Sequence, residues 1–68
     1  MYKLDLSKIP VGRVKEAKEN IMDILRITTE AGLRPYLNGT REPGLSDASL
    51  IKYYMKVNFG ISKVWVKV

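Results

Sequence analysis

A small α+β domain, with two helices packed on one face of a short sheet, is the fold class this sequence predicts. Three observations carry it. Both ends of the chain alternate apolar and polar residues with a period of two, residues 11–31 hold an apolar stripe at helical spacing, and Gly, Pro and Asn punctuate the rest. The expected order is strand, helix, short strand or hairpin, helix, strand. At 68 residues the chain is a single domain.

The opening "MYKLDL" sets Tyr2, Leu4 and Leu6 on one side and Lys3 and Asp5 on the other, as a half-buried strand does. Pro10 and Gly12 end it. From Val11 to Ala31, Val14, Ala17, Ile21, Ile24, Leu25 and Thr28 line one helical stripe. Met22 and Ile27 widen that stripe and suggest burial on two sides or a partner. Gly32 is the expected left-handed residue after the last turn. Asn38-Gly39 is a strong short hairpin turn, between a short strand at Tyr36-Leu37 and a stub at Thr40-Arg41. Pro43-Gly44 makes a second turn. Ser46 is the expected N-cap of a second helix, with Asp47 in its positive first turn. Leu50, Ile51, Tyr54, Val57 and Met55 form its inward stripe, and Gly60-Ile61 ends it. "SKVWVKV" closes the chain as a strand, with Val64, Val66 and Val68 on one face and Lys63, Trp65 and Lys67 on the other.

If the first and last strands are neighbours, the outer face of the sheet carries Lys3, Asp5, Lys63, Trp65 and Lys67. The charge distribution gives this interest. The net charge is +5, from 12 Lys and Arg against 7 Asp and Glu. Residues 1–18 and 45–68 each carry +3, whereas residues 19–44 carry −1. Two basic ends that meet would add into one patch.

A chain this short buries a small core and commonly needs a staple. No cysteine or histidine is present, so disulfides and a zinc site are excluded. Oligomerisation is the staple that remains, and a homodimer is an expected partner state. No apolar run reaches membrane-spanning length and no signal pattern opens the chain, so a cytoplasmic, non-membrane setting is expected.

Catalysis finds little support. Without His or Cys, the Ser-His-Asp and Cys-His arrangements cannot be built. Glu16, Glu19 and Asp23 share their helix strip with lysines, as a solvated face does. Gly44-Leu45-Ser46 lacks the Walker spacing and reads as an ordinary helix start. No enzyme activity, cofactor or metal is expected.

The alternating Lys63, Trp65 and Lys67 are the best candidate for function. Aromatic rings on a sheet stack bases while flanking lysines neutralise phosphates. Lys3 joins that face. Arg34 and Arg41 flank the Asn-Gly turn and are candidate backbone contacts, and Tyr53 is a further aromatic candidate. The expectation is a small, basic, non-catalytic nucleic-acid-binding protein, such as a regulator. The rival expectation is a protein-interaction module (an inhibitor, adaptor or assembly factor) that buries Trp65 in an interface. Two plainer readings stand beside them: Trp65 is covered by the hairpin or another protomer, or its side is the true core side. A degenerate winged helix is the runner-up fold. It needs a helix just before residues 45–59, where Asn38, Gly39, Pro43 and Gly44 argue against one.

Overall fold

The computed structural model describes residues 2–68. Strand β1 (Tyr2–Leu4) leads through a 3₁₀ turn (Val11–Arg13) into helix α1 (Val14–Leu25). Helices α2 (Glu30–Asn38) and α3 (Leu45–Phe59) follow, and β2 (Trp65–Lys67) returns beside β1. The architecture is mixed α+β, with three helices and one antiparallel two-stranded sheet that joins the two ends of the chain.

Helix α1 follows the apolar stripe, with Ala17 and Ile21 fully buried and Val14, Ile24 and Leu25 packed at the margin. It is shorter than the expected 11–31. Arg26 adopts the left-handed conformation at φ 59°. Its N–H donates to the Asp23 carbonyl, and the N–H of Ile27 donates to the Met22 carbonyl. This is the paired hydrogen-bond pattern of a Schellman ending. The residue that stops the helix is an arginine, so no glycine marks the stop. Ile27 and Met22 lie together against the core, which accounts for their place off the main stripe.

The expected strand and hairpin between residues 34 and 45 do not form. Glu30–Asn38 is helical instead, capped by Thr29, whose Oγ1 accepts from the N–H of Gly32. Gly32 therefore lies inside α2 rather than ending α1. A Cβ there would collide with Ile27 Cγ2, so the glycine lets α2 fold back tightly on the end of α1. Pro35 sits within the helix and removes the N–H that would bond the Ala31 carbonyl. Ala31 is exposed, so water can serve that carbonyl. Asn38-Gly39 supplies a left-handed residue as expected, but it ends a helix instead of turning a hairpin. Gly39 has φ 82°, and the Pro35 carbonyl accepts from the N–H groups of Gly39, Thr40 and Arg41. A Cβ on Gly39 would strike Val68 Cγ2, since the end of α2 meets one face of the sheet there. Gly39→Ala is expected to cost about 1–3 kcal/mol, measured as a lower urea midpoint. Gly12→Ala, which meets nothing within 4 Å, is the control and should lose nothing.

Helix α3 begins one residue before the expected cap. Gly44 is the N-cap and Ser46 lies inside the first turn. Asp47 occupies that turn and pairs with Arg26 at 3.7 Å, tying α3 to the end of α1. Gly60 ends the helix at φ 68°, with its N–H on the Lys56 carbonyl, and Ile61 packs back into the core. The inward stripe is narrower than expected. Ile51 and Met55 are fully buried, but Leu50 and Val57 are 54% and 62% exposed. The contact with α1 explains this. Ala17 presents no bulk, so α1 and α3 pack closely along Ile51 and Met55, with the Tyr54 hydroxyl accepting from Asn20 Nδ2 at 3.0 Å. Leu50 and Val57 then fall outside the seam. Arg13 secures the other end, 4.5 Å over the Phe59 ring and donating to the Asn58 carbonyl. A cation at a helix C-terminus also meets its dipole favourably.

The buried set combines Leu4, Ile9, Ala17, Ile21, Leu33, Tyr36, Ile51, Met55, Ile61 and Val64, drawn from every helix and from both ends of the chain. No helix is long and apolar enough to cross a membrane.

Candidate nucleic-acid interface

Strand register decides what the sheet presents. Tyr2 stands opposite Lys67, Lys3 opposite Val66 and Leu4 opposite Trp65. The N–H of Asp5 donates to the Val64 carbonyl one step further on. Residues directly opposite in an antiparallel pair point to the same face. Trp65 and Lys67 therefore share a face with Leu4 and Tyr2, and Lys3 lies on the other face with Val66. The expected outer face does not assemble. A strand's own alternation gives its two faces, but only the register says which face of one strand meets which of the other.

Lys3 is exposed on the face that meets the end of α2, where its Cβ lies beside Gly39. Arg34 is exposed on α2. Arg41, in the connection after α2, sets its guanidinium 5.7 Å from the centre of the Tyr36 ring. Neither arginine grips a hairpin, because there is none. Lys63 is exposed just before β2, and Lys67 is exposed on it. Asp5 is turned into the loop after β1, accepting from the N–H and Oγ of Ser7 at 3.0 and 2.6 Å. Those bonds hold its carboxyl below the ordinary value, helped by Lys8 and Lys3. Their stabilisation is present at neutral pH and fades as pH falls through that lowered value. Tyr53 is exposed on the outer side of α3.

Trp65 is half-buried, packed against the core beside Leu4. It is neither wholly outward nor sealed inside. Its free side, with Tyr2, lines an open cleft of about 280 Å³ whose other walls are Glu42, Pro43, Leu45 and Ala48. The cleft thus lies between the sheet and the start of α3. Comparison with known protein families, curated proteins and solved structures finds no match for this chain.

Two lysines that the strand pattern did not suggest lie on the helix flank beyond the cleft. Ala48 lines it, and Lys52 and Lys56 follow at successive four-residue steps, so they continue the same flank of α3. Both are exposed. The helical spacing from Ala48 is the signal that finds them, once the cleft is known. Lys52, Lys56, Lys63 and Lys67 make no ion pair among the described residues. Three acids are engaged elsewhere: Glu16 with Arg13 at 2.9 Å, Glu30 with Lys18 at 3.3 Å and Asp47 with Arg26. Glu42 is the one acid on the cleft wall.

A larger cleft of about 560 Å³ lies along α1, floored by Val11, Val14 and Met22. Lys15 and Lys18 balance Glu19 and Glu30 on its walls, so it offers no preference for either sign. No group of three or more His, Cys, Asp or Glu able to hold a metal occurs among the described residues.

Proposed function

We propose that the protein binds nucleic acid without catalysis, through the cleft that Trp65 shares with the start of α3. The observation that carries this reading is the grouping of Tyr2, Trp65 and Lys67 on one sheet face, against an α3 flank that continues into Lys52 and Lys56. Rings half-open to solvent give a base something to stack on, and lysines without ion pairs give phosphates a partner. The earlier grouping with Lys3 is replaced, because Lys3 faces away. A cytoplasmic regulator remains the role proposed for such a binder. The winged-helix alternative has weaker support: residues 39–44 separate α2 from α3, which is longer than the usual 3–4-residue turn, and one strand follows α3.

The test is affinity for single-stranded oligonucleotides across a salt series. Four lysines on phosphates give a slope of log K on log salt of about −3, at about −0.7 per contact. No binding at low salt, or binding indifferent to salt, rejects the reading.

A second reading rests on a different surface. Leu50, Tyr53 and Val57 are 54%, 69% and 62% exposed and lie along the outer side of α3. A helix apolar on both sides is suited to a partner. A second copy packing the same stripe by two-fold symmetry puts Leu50 of one chain near Val57 of the other. Sedimentation velocity should then show a dimer that Tyr53→Glu converts to monomer. A monomer at every concentration rejects this reading and leaves the nucleic-acid reading untouched.

A further inference from the structure

We infer that the cleft between the sheet and the start of α3 receives one unpaired base bearing an exocyclic amino group, such as cytosine. This inference rests on the nucleic-acid reading and adds a base preference to it. The walls are two aromatic rings, Tyr2 and Trp65, and three apolar side chains, Pro43, Leu45 and Ala48. Such a lining favours a flat ring over a charged or strongly hydrated group. The volume of about 280 Å³ falls just under the range of about 300–1,000 Å³ typical of drug-sized ligands, so a single ring system is the fitting occupant.

The remaining wall residue decides which ring. Among the described residues Glu42 is the only charged side chain on the cleft wall, in a protein of net charge +5. A carboxylate accepts hydrogen bonds and repels phosphate. It is poorly suited to the backbone of a strand and well suited to an N–H donor. Cytosine offers its N4 amino group, and adenine and guanine offer theirs; thymine and uracil have none. In a duplex the Watson–Crick edge is occupied and the base is stacked, so the occupant is an unpaired base. Lys67, which stands opposite Tyr2, and Lys52, one turn beyond Ala48, then lie at the rim where the flanking phosphates would pass.

The experiment measures fluorescence anisotropy of labelled oligo(dC) and oligo(dT) of equal length, at one low salt concentration, with the wild-type protein and Glu42→Ala. Glu42 is exposed, so its replacement leaves the fold intact. The wild type should bind oligo(dC) about fivefold more tightly than oligo(dT). In Glu42→Ala oligo(dT) should bind slightly more tightly, because an acid has left the phosphate path, oligo(dC) should bind more weakly, because its amino group has lost its acceptor, and their ratio should fall to about one. A strand built with N4,N4-dimethylcytosine, which lacks the donor, should bind the wild type as oligo(dT) does. Equal wild-type affinities, or a ratio unchanged in Glu42→Ala, overturn the base preference while the nucleic-acid reading survives. Failure of both strands to bind overturns the two together.

Discussion

Ile51→Ala should leave the domain largely unfolded at 25 °C. Ile51 is fully buried where α3 packs against α1, among Ile21, Met55 and Ala17. Truncating a buried isoleucine to alanine removes its transfer free energy and leaves a cavity, at a cost of about 2–5 kcal/mol. A single core in a chain of this size rarely supplies more than about 3–5 kcal/mol. No disulfide adds to it, because the chain has no cysteine. The loss therefore matches the whole stability, and helical circular dichroism should fall together with the dispersion of methyl NMR signals. Val11→Ala is the comparison. Val11 is also a large aliphatic residue, but it is 93% exposed, so its replacement should move stability by less than about 0.5 kcal/mol. A folded Ile51→Ala with near-wild-type stability contradicts this placement of the core.

Charge reversal of Lys52 and Lys67 should have the largest effect on binding. The two lysines come from different elements, α3 and β2: Lys52 is one turn beyond Ala48 and Lys67 stands opposite Tyr2, and Ala48 and Tyr2 both line the cleft. Lys52→Glu with Lys67→Glu replaces two attractions with two repulsions, and affinity should fall by at least about a hundredfold at low salt. The milder Lys52→Ala with Lys67→Ala should flatten the salt slope by about 1.4, at about 0.7 per lost contact. Both positions are exposed, so thermal stability should hardly change. Lys3→Glu is the decisive control. It makes the same charge change in the neighbouring strand, on the opposite face of the sheet. Lys3→Glu should weaken binding far less than either cleft lysine; equal losses at all three sites would mean that only net charge matters.

The difference between Lys3 and Lys67 also shows what could be read locally. The alternation within each end strand follows from the period of two. Their register does not, and shifting it by one residue exchanges every side chain between faces. That is why Lys3 was expected beside Trp65. Helix α1 was legible because its stripe is long and regular, but its end was not, because Arg26 takes the role a glycine usually has. The segment at 30–38 was misread for the opposite reason. Gly32, Pro35 and Asn38-Gly39 each suggest a break, yet Thr29 caps the segment and Leu33 and Tyr36 are buried from it. Tertiary burial of those two side chains outweighs an unfavourable local composition. Within α3, Leu50 and Val57 were expected inward because they are apolar; the close approach at Ala17 leaves them no room in the seam. The cleft itself had no local signal. Tyr2, Glu42, Ala48 and Trp65 are scattered along the chain and meet only in the folded structure.

Trp65 is the only tryptophan in the chain and stands on the cleft wall, so its emission reports directly on whether nucleic acid occupies that site. The measurement is a fluorescence titration of the wild-type protein with a single-stranded oligonucleotide at low and at high salt. Stacking of a base should quench the emission in a saturable way, and raising the salt should weaken the apparent affinity steeply. Emission that stays constant while binding is seen by anisotropy would place the nucleic acid on another surface. Emission that stays constant with no binding by either measure would contradict the nucleic-acid function itself.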